Sequence, residues 1–297
     1  MRSRHQVIGW VARHPVAALL VWSFTVGQAV AFIPVVASSR GVELPVQPFT
    51  TASTWVGLLL PSLALTWLVD GRPATRVLLS RLTAVRRPVR WYALPLVLVP
   101  FLSMAIAVGM AGTPGETASL ELVRAILVGF GLQAVLHLVT NNLWEELAWT
   151  GFVQARLQAS HSPMVATLLT APLFALQHTP LLVGNSLLGG SVVMAALVVL
   201  AVPFRAVMAW ISNRTGSLFL VGLAHACGNA VVTSTLLGDA FLPALYGRNL
   251  GPVHLFSFAV IGAAVVAVTR GRLGLTDGGK PVAVPVDIER EVARHGS

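Results

Sequence analysis

The chain has 297 residues, of which 55% are apolar and only 10% are charged. A soluble domain carries about a quarter charged residues, so this composition excludes an ordinary soluble protein. The net charge of +9 does not indicate a nucleic-acid partner, because most arginines flank apolar runs instead of lining one helix face.

Eight apolar runs of about twenty residues follow one another along the chain. Runs of that length cross the hydrocarbon layer of a bilayer as helices. The first run follows Arg2, Arg4 and Arg13, as in a signal peptide, but its ~23 residues exceed the usual 7–15. We therefore predict that it is retained as a membrane helix. The predicted spans are 16–38, 50–69, 91–112, 124–153, 163–184, 188–212, 216–237 and 252–269.

Arginine and lysine are distributed unevenly between the two sides of these spans. With the amino terminus inside, seventeen of the 20 basic residues, Arg205 among them, count toward the inner side, and only Arg40, Arg124 and Arg248 fall outside. An excess of arginine and lysine marks the cytoplasmic side. The sequence therefore predicts an all-α, polytopic transmembrane helix bundle in the cell membrane, with about eight spans and both termini cytoplasmic.

The segment from Asp70 to Arg90 allows two interpretations. Its apolar residues Val77, Leu78, Leu82 and Val85 recur at helical spacing between arginines, which indicates an amphipathic helix on the anionic inner leaflet. An ordinary basic loop that obeys the orientation rule has the same composition. Both interpretations stay open at this point.

Three spans carry polar and ionisable side chains, which are costly inside a membrane and are functional candidates by default. In the fourth span, residues four apart form two neighbouring rows on the helix. The rows are Gln133, His137, Asn141 and Glu145, and beside them Asn142, Glu146 and Thr150. The fifth span ends near His178, and the seventh contains His225 and Asn229 one turn apart. Gly222 and Gly228 in the seventh span predict a close approach by a neighbouring helix.

These polar groups are predicted to meet in the inner half of the membrane. Counted from the inner face at about 1.5 Å per residue, Glu145 lies roughly 12 Å deep and His225 roughly 14 Å. The same count places Asn229 roughly 20 Å deep and His178 roughly 22 Å.

Three motifs in chain order resemble the signature of the CAAX prenyl protease and bacteriocin-processing (CPBP) family. They are Glu145-Glu146-Leu-Ala-Trp-Thr150, Phe174-x-x-x-His178 and His225-x-x-x-Asn229, each in its own predicted helix. The family consists of intramembrane endopeptidases, and the resemblance covers about residues 124–237. It implies that the substrate is a membrane-associated protein or peptide, either a prenylated protein tail or a peptide precursor.

The resemblance also implies roles for five residues. Glu145 would act as general base on a water that His178 helps to hold. His225 and Asn229 would donate hydrogen bonds to the oxyanion, and Glu146 would orient the other groups. No cofactor is implied. A zinc site remains an alternative, although the H-E-x-x-H pattern is missing.

One position departs from the family pattern. The family's first motif is Glu-Glu-x-x-x-Arg, and Thr150 stands where the arginine would be. An arginine there would lie four residues from Glu146 and could pair with it. Without that partner, Glu146 would be protonated, would bond elsewhere, or would mark a chain that has lost activity. We expect Thr150→Arg to be tolerated and to keep or raise activity.

The chain divides into four predicted regions. Residues 1–123 form N-terminal transmembrane helices with a basic cytoplasmic loop at 70–90, and residues 124–237 form the protease-like catalytic core. Residues 238–272 contain the last transmembrane helix, and 273–297 form a disordered cytoplasmic tail. A non-proteolytic membrane protein on the same fold, such as a transporter or an immunity or scaffold protein, is the alternative function.

Overall fold

The computed structural model describes residues 2–115, 119–183 and 186–275. Within these ranges the chain forms ten longer helices, one 3₁₀ turn at Thr179–Leu182 and no β-strand. Residues 276–297, most of the predicted tail, lie outside the described residues. The helices are α1 Arg2–Arg13, α2 Pro15–Ser38, α3 Val46–Ser80, α4 Arg90–Ala111, α5 Ser119–Gln158, α6 Pro163–Leu176, α7 Leu187–Thr215, α8 Leu218–Val232, α9 Phe241–Tyr246 and α10 Val253–Thr269.

Each predicted span corresponds to one helix. Among the described residues, five helices (α2, α3, α4, α5 and α7) are long and apolar enough to cross a membrane, and α6, α8 and α10 are shorter apolar helices. The all-α, polytopic fold is therefore confirmed. Two helices were not predicted: α1, which precedes the first span, and the six-residue α9, which lies in the connection before α10.

The first three spans share one hydrophobic core with the helices that carry the motifs. Leu19 of α2, Leu58 of α3 and Val99 of α4 are buried in the same cluster as Trp149 of α5 and Phe204 of α7. Buried apolar contacts of this kind fix helices relative to one another. The outer spans therefore help to position the motif helices.

Gly222 and Gly228 allow two close helix contacts in α8. A Cβ at Gly222 would lie 3.0 Å from the Cα of Leu143 in α5, and one at Gly228 would lie 2.6 Å from Phe258 in α10. The predicted close approach is confirmed. Its effect is to bring α8 against the turn of α5 that precedes Glu145.

The segment at 70–90 combines a short helix with a loop that caps α7. Gly71 interrupts α3 with a φ of 83°, and the helix resumes as far as Ser80. Leu78 is buried against Leu147 and Leu218, so this stretch packs on the protein. Two arginines of the following loop donate hydrogen bonds to the carbonyl end of α7, where positive charge is favoured. These are Arg81 Nε to Gly216 O at 3.0 Å and Arg87 Nε to Thr215 O at 2.7 Å.

The bundle has one strongly basic end, which consists of residues 70–90, 156–163, 212–218 and 270–275. Hydrogen bonds and an ion pair hold this end together: Arg156 pairs with Asp70, and Asn213 donates to Leu273 O at 3.0 Å. The opposite end contains residues 39–45, 177–183 and 233–252. There Gln47 Oε1 accepts from the backbone N–H of Leu236 at 3.0 Å.

We predict that the basic end is cytoplasmic and that both termini lie on that side, because loop arginines set membrane orientation. Reporter fusions at residue 5 and residue 290 measure this directly. Cytoplasmic signals are expected from both. A non-cytoplasmic signal from either fusion would contradict the eight-span arrangement.

Candidate active site

The glutamate pair lies on a helix whose hydrogen-bond pattern changes on both sides of it. Leu143–Glu146 is α-helical, while Leu138–Asn142 before it and Leu147–Gln154 after it are π-helical. Such π turns inside α-helices are frequent at functional sites. They also change the rotation of the side chains along the helix. The two predicted polar rows are in contact with each other. Asn142, predicted to lie in the row of Glu146, donates to Glu145 Oε2 at 3.2 Å.

Glu146 is fully buried and has a cationic partner on another helix. Arg205 of α7 donates from Nη1 to both carboxylate oxygens of Glu146, at 2.8 and 2.9 Å. Arg205 Nη2 donates to the hydroxyl of Thr150 at 2.7 Å, and that hydroxyl donates to Glu146. His225 Nδ1 donates to Glu146 Oε1 at 3.0 Å. Of the three outcomes left open for Glu146, these contacts support the second: Glu146 bonds elsewhere, to a guanidinium on another helix.

Arg205 makes the ion pair with Glu146 that an arginine at position 150 could have made. Its side chain is 0% exposed, and the guanidinium lies 5.3 Å from the ring centre of Phe174 in the second motif. Counting Arg205 toward the inner side was therefore wrong, because a buried guanidinium does not contribute to an exposed loop. A signal was present in the sequence: Arg205 lies within the predicted span 188–212, where a charge is costly and functional by default.

Glu145 lies at the boundary between the packed interior and a cavity. Its Oε1 accepts from Thr54 of α3 at 3.4 Å and from the amide of Gln177 at 3.2 Å. Its Oε2 lies 3.7 Å from His225 Nδ1. The hydrogen bonds of Glu145 are therefore long. Unlike Glu146, it has no arginine partner among the described residues. Sequence reasoning missed Thr54 and Gln177, although Gln177 directly precedes His178 in the second motif.

His178 and Glu145 line the same cavity, which has a volume of about 600 Å³. This size is within the usual range for ligand pockets. His178 lies two residues beyond α6, and its Nδ1 donates to Phe174 O at 3.1 Å. A carbonyl can only accept, so Nδ1 carries the proton and Nε2 of the neutral ring is an acceptor.

Asn229 is linked to Glu145 through Asn142. The amide nitrogen of Asn229 donates to Asn142 Oδ1 at 3.2 Å, and Asn142 in turn donates to Glu145. The structure thus brings Glu145, Glu146 and His225 into direct contact. Asn229 is connected to them through one intervening side chain, that of Asn142. His225 is buried, and Asn229 is half-buried.

The polar residues in the first half of α5, Gln133 and His137, have a structural role. His137 Nε2 donates to Thr233 O at 2.8 Å, and Gln133 donates to Gly238 O at 2.9 Å. Both hold the connection that follows α8. His254 of α10, which sequence reasoning did not single out, lies against Gly228, and its Nδ1 is buried without a hydrogen-bond partner among the described residues.

Glu145 lies farther from the basic end of the bundle than the sequence count placed it from the inner face. Helix α5 continues to Gln158, five residues beyond the end assumed for the span, so Glu145 is about 20 Å from the basic end and not 12 Å. Thr54, its hydrogen-bond partner, is eight residues after the start of α3, about 12 Å from the opposite end. The site is therefore nearer the opposite end than the basic end.

The described residues include no group of three or more His, Cys, Asp and Glu side chains arranged to hold a metal ion. The contacts of Glu146 explain why this carboxylate is a poor metal ligand. Both of its oxygens accept from Arg205, whose positive charge would repel a cation at the same place.

The fold and the site define the class of protein as a polytopic α-helical membrane protein with a buried cluster of carboxylates, imidazoles and amides. Residues 127–231 match the family model for the type II CAAX prenyl endopeptidase, Rce1-like. This segment is thus similar to that family, and the resemblance predicted from the three motifs is confirmed. No curated protein matches the chain. At the level of this family, the match supports a CAAX-type intramembrane protease.

Proposed function

We propose that the protein hydrolyses a peptide bond of a membrane-associated protein or peptide, with Glu145 activating the attacking water. The observation that carries the proposal is the contrast between the two adjacent carboxylates. Glu146 is held by an arginine and buried, while Glu145 faces a cavity with His178. One glutamate is thus available for chemistry and the other for orientation.

In the first step, water binds between the Glu145 carboxylate and Nε2 of His178. Glu145 accepts one proton of the water, His178 accepts a hydrogen bond from the other, and the water oxygen attacks the scissile carbonyl carbon. The carbonyl π bond breaks, and its electron pair becomes the oxyanion of a tetrahedral intermediate. Thr54 and Gln177 hold the carboxylate in place during this step.

The oxyanion is stabilised by His225 and Asn229. Nδ1 of His225 donates to Glu146, so a hydrogen bond from Nε2 to the oxyanion requires the imidazolium form of the ring. One N–H of the Asn229 amide donates to Asn142, and its second N–H is the other oxyanion donor.

Collapse of the intermediate completes the reaction. The carbonyl re-forms, the C–N bond breaks, and the proton held by Glu145 passes to the leaving amine. Glu146 does not exchange protons in this scheme. It holds His225, and Arg205 holds Glu146.

The proposal is tested by comparing peptide termini in membranes that contain the parent protein and membranes that contain Glu145→Gln. New termini that appear only with the parent identify the substrate and the cleaved bond. Identical sets of termini in the two membranes would contradict the role of Glu145, and termini that are the same with and without the protein would rule out proteolysis as the function.

We predict that His178→Ala and Asn229→Ala differ in the extent of their effect. His178→Ala is expected to abolish cleavage, because the water loses one of its two protein partners. Asn229→Ala is expected to lower the rate by about 10²–10³ and to leave measurable activity, the usual effect of removing one oxyanion donor. Single-turnover rates with the substrate identified above measure both. Equal rates for Asn229→Ala and the parent would remove Asn229 from the oxyanion site.

A further inference from the structure

The cavity of Glu145 opens at the end of the bundle that carries few positive charges. Its walls include the last turns of α2 and the loop to α3, with Ser38, Ser39 and Glu43. They also include Pro180, Leu181 and Val183, which follow α6. Both segments belong to the opposite end defined above. The basic end carries Arg72, Arg76, Arg81, Arg86, Arg87, Arg90, Arg156, Arg214, Arg270 and Arg272, against Arg40, Arg124 and Arg248 toward the opposite end.

The route from the basic end to Glu145 is closed by packed side chains. Trp149 and Phe152 follow Glu145 on α5 and are both 0% exposed. Arg205 and Leu218, also 0% exposed, fill the space from α7 and α8. A substrate chain that approached from this side would have to displace a close-packed core, which is costly.

The walls of the cavity offer both polar and apolar surface to a peptide. Ser39, Thr50 and Ser53 line the side formed by α2 and α3, and each hydroxyl donates to a backbone carbonyl, so that its oxygen is left as an acceptor. Leu181 and Val183 on the facing side are 62% and 52% exposed, so the cavity also offers apolar surface to a substrate. A polar backbone with apolar side chains is the chemistry that such walls complement.

From these observations we infer that the substrate reaches Glu145 from the non-cytoplasmic side of the membrane. The substrate class is then the outward-facing segment of an exported or membrane-anchored protein, next to the membrane surface. A tail that remains in the cytoplasm is not a substrate of this chain. The inference rests on the proposed function and on the orientation that the arginines predict.

Thiol labelling in intact cells tests the position of the cavity mouth. The parent is the unlabelled control, because its one cysteine, Cys227, is fully buried. A bulky, membrane-impermeant maleimide is expected to label Ser39→Cys in intact cells and Arg86→Cys only after permeabilisation, since the two exposed positions lie at opposite ends. Labelling of Ser39→Cys is also expected to stop cleavage, whereas modified Arg86→Cys keeps it. The reverse labelling pattern would overturn the inference.

The side of the membrane on which cleavage occurs tests the substrate class separately from the function. Termini that depend on Glu145 are mapped onto the topology of the proteins in which they arise. Cleavage in outward-facing segments is the expected result. Cleavage confined to cytoplasmic segments would keep the proposed function and overturn this inference, and the absence of any such cleavage would instead refute the function.

Discussion

Replacing Arg205 with methionine is expected to destabilise the protein by about 3–5 kcal/mol, because it leaves a buried carboxylate without its cationic partner. Glu146 is 0% exposed and receives two hydrogen bonds from Arg205. Cleavage is expected to be lost as well, since His225 is held by the same carboxylate. The melting temperature in detergent micelles and the cleavage rate measure the two effects.

Arg214→Met is the matched control for this substitution. It removes an arginine from the same helix, but Arg214 is exposed, so the free energy of unfolding should change by no more than about 0.5 kcal/mol. A second control, Glu146→Gln with Arg205→Met, should be more stable than Arg205→Met alone, because no unpaired charge remains. If Arg205→Met melts at the temperature of the parent, the pair does not hold the site.

Thr150→Arg is expected to have opposite effects with and without Arg205. In the parent it introduces a second guanidinium into a fully buried site, beside the first, and should lower both stability and activity. In the Arg205→Met background, an arginine four residues from Glu146 can pair with that carboxylate and should recover part of both losses.

This prediction differs from the expectation from the sequence that Thr150→Arg is tolerated. The reason is that Thr150 is itself part of the network, since its hydroxyl accepts from Arg205 and donates to Glu146. Melting temperature and cleavage rate are measured for the parent, Thr150→Arg, Arg205→Met and the double variant, which together form a double-mutant cycle. Parent-like stability and activity of Thr150→Arg alone would show that Arg205 and position 150 do not share one buried site.

Replacing Glu145 with glutamine is expected to reduce the cleavage rate by a factor of about 10²–10⁴, the contribution of a positioned general base. The amide has nearly the same shape and retains an oxygen that can accept from Thr54 or Gln177, so the fold should persist. Single-turnover rates and melting temperatures in detergent separate the two effects.

Glu121→Gln is the control for Glu145→Gln. It is the same substitution on the same helix, at an exposed position near the start of α5, and should leave the rate unchanged. A parent-like rate for Glu145→Gln would show that another group activates the water. Loss of activity in Glu145→Gln together with a large fall in melting temperature would mean that the carboxylate supports the fold as well as the chemistry.

Much of the fold could be predicted from the sequence because its signals are local. A run of about twenty apolar residues can satisfy its backbone in lipid only as a helix, and each predicted span is found as one helix. The motif glutamates, histidines and asparagine could be identified because an ionisable group in such a run is costly. The same rule applied to Arg205 would have indicated a buried role.

The contacts of the site could not be predicted, because they join residues that are distant in the chain. Arg205 and Glu146 are 59 residues apart, and Thr54 and Glu145 are 91 apart. The rotation of two helices decides whether such side chains meet. In α5 that rotation depends on π turns, which apolar periodicity does not reveal.

By itself, the sequence determined the helical class, the number of apolar helices, the uneven charge of the two ends and the residue types of the site. These follow from the cost of exposing backbone and charge to lipid, which acts on each segment separately. Only the tertiary structure decided that Arg205 pairs with Glu146, that Glu145 and not Glu146 faces the cavity, and at which end the cavity opens. These depend on how helices pack against one another, and close packing is a property of the assembled bundle and not of any one span.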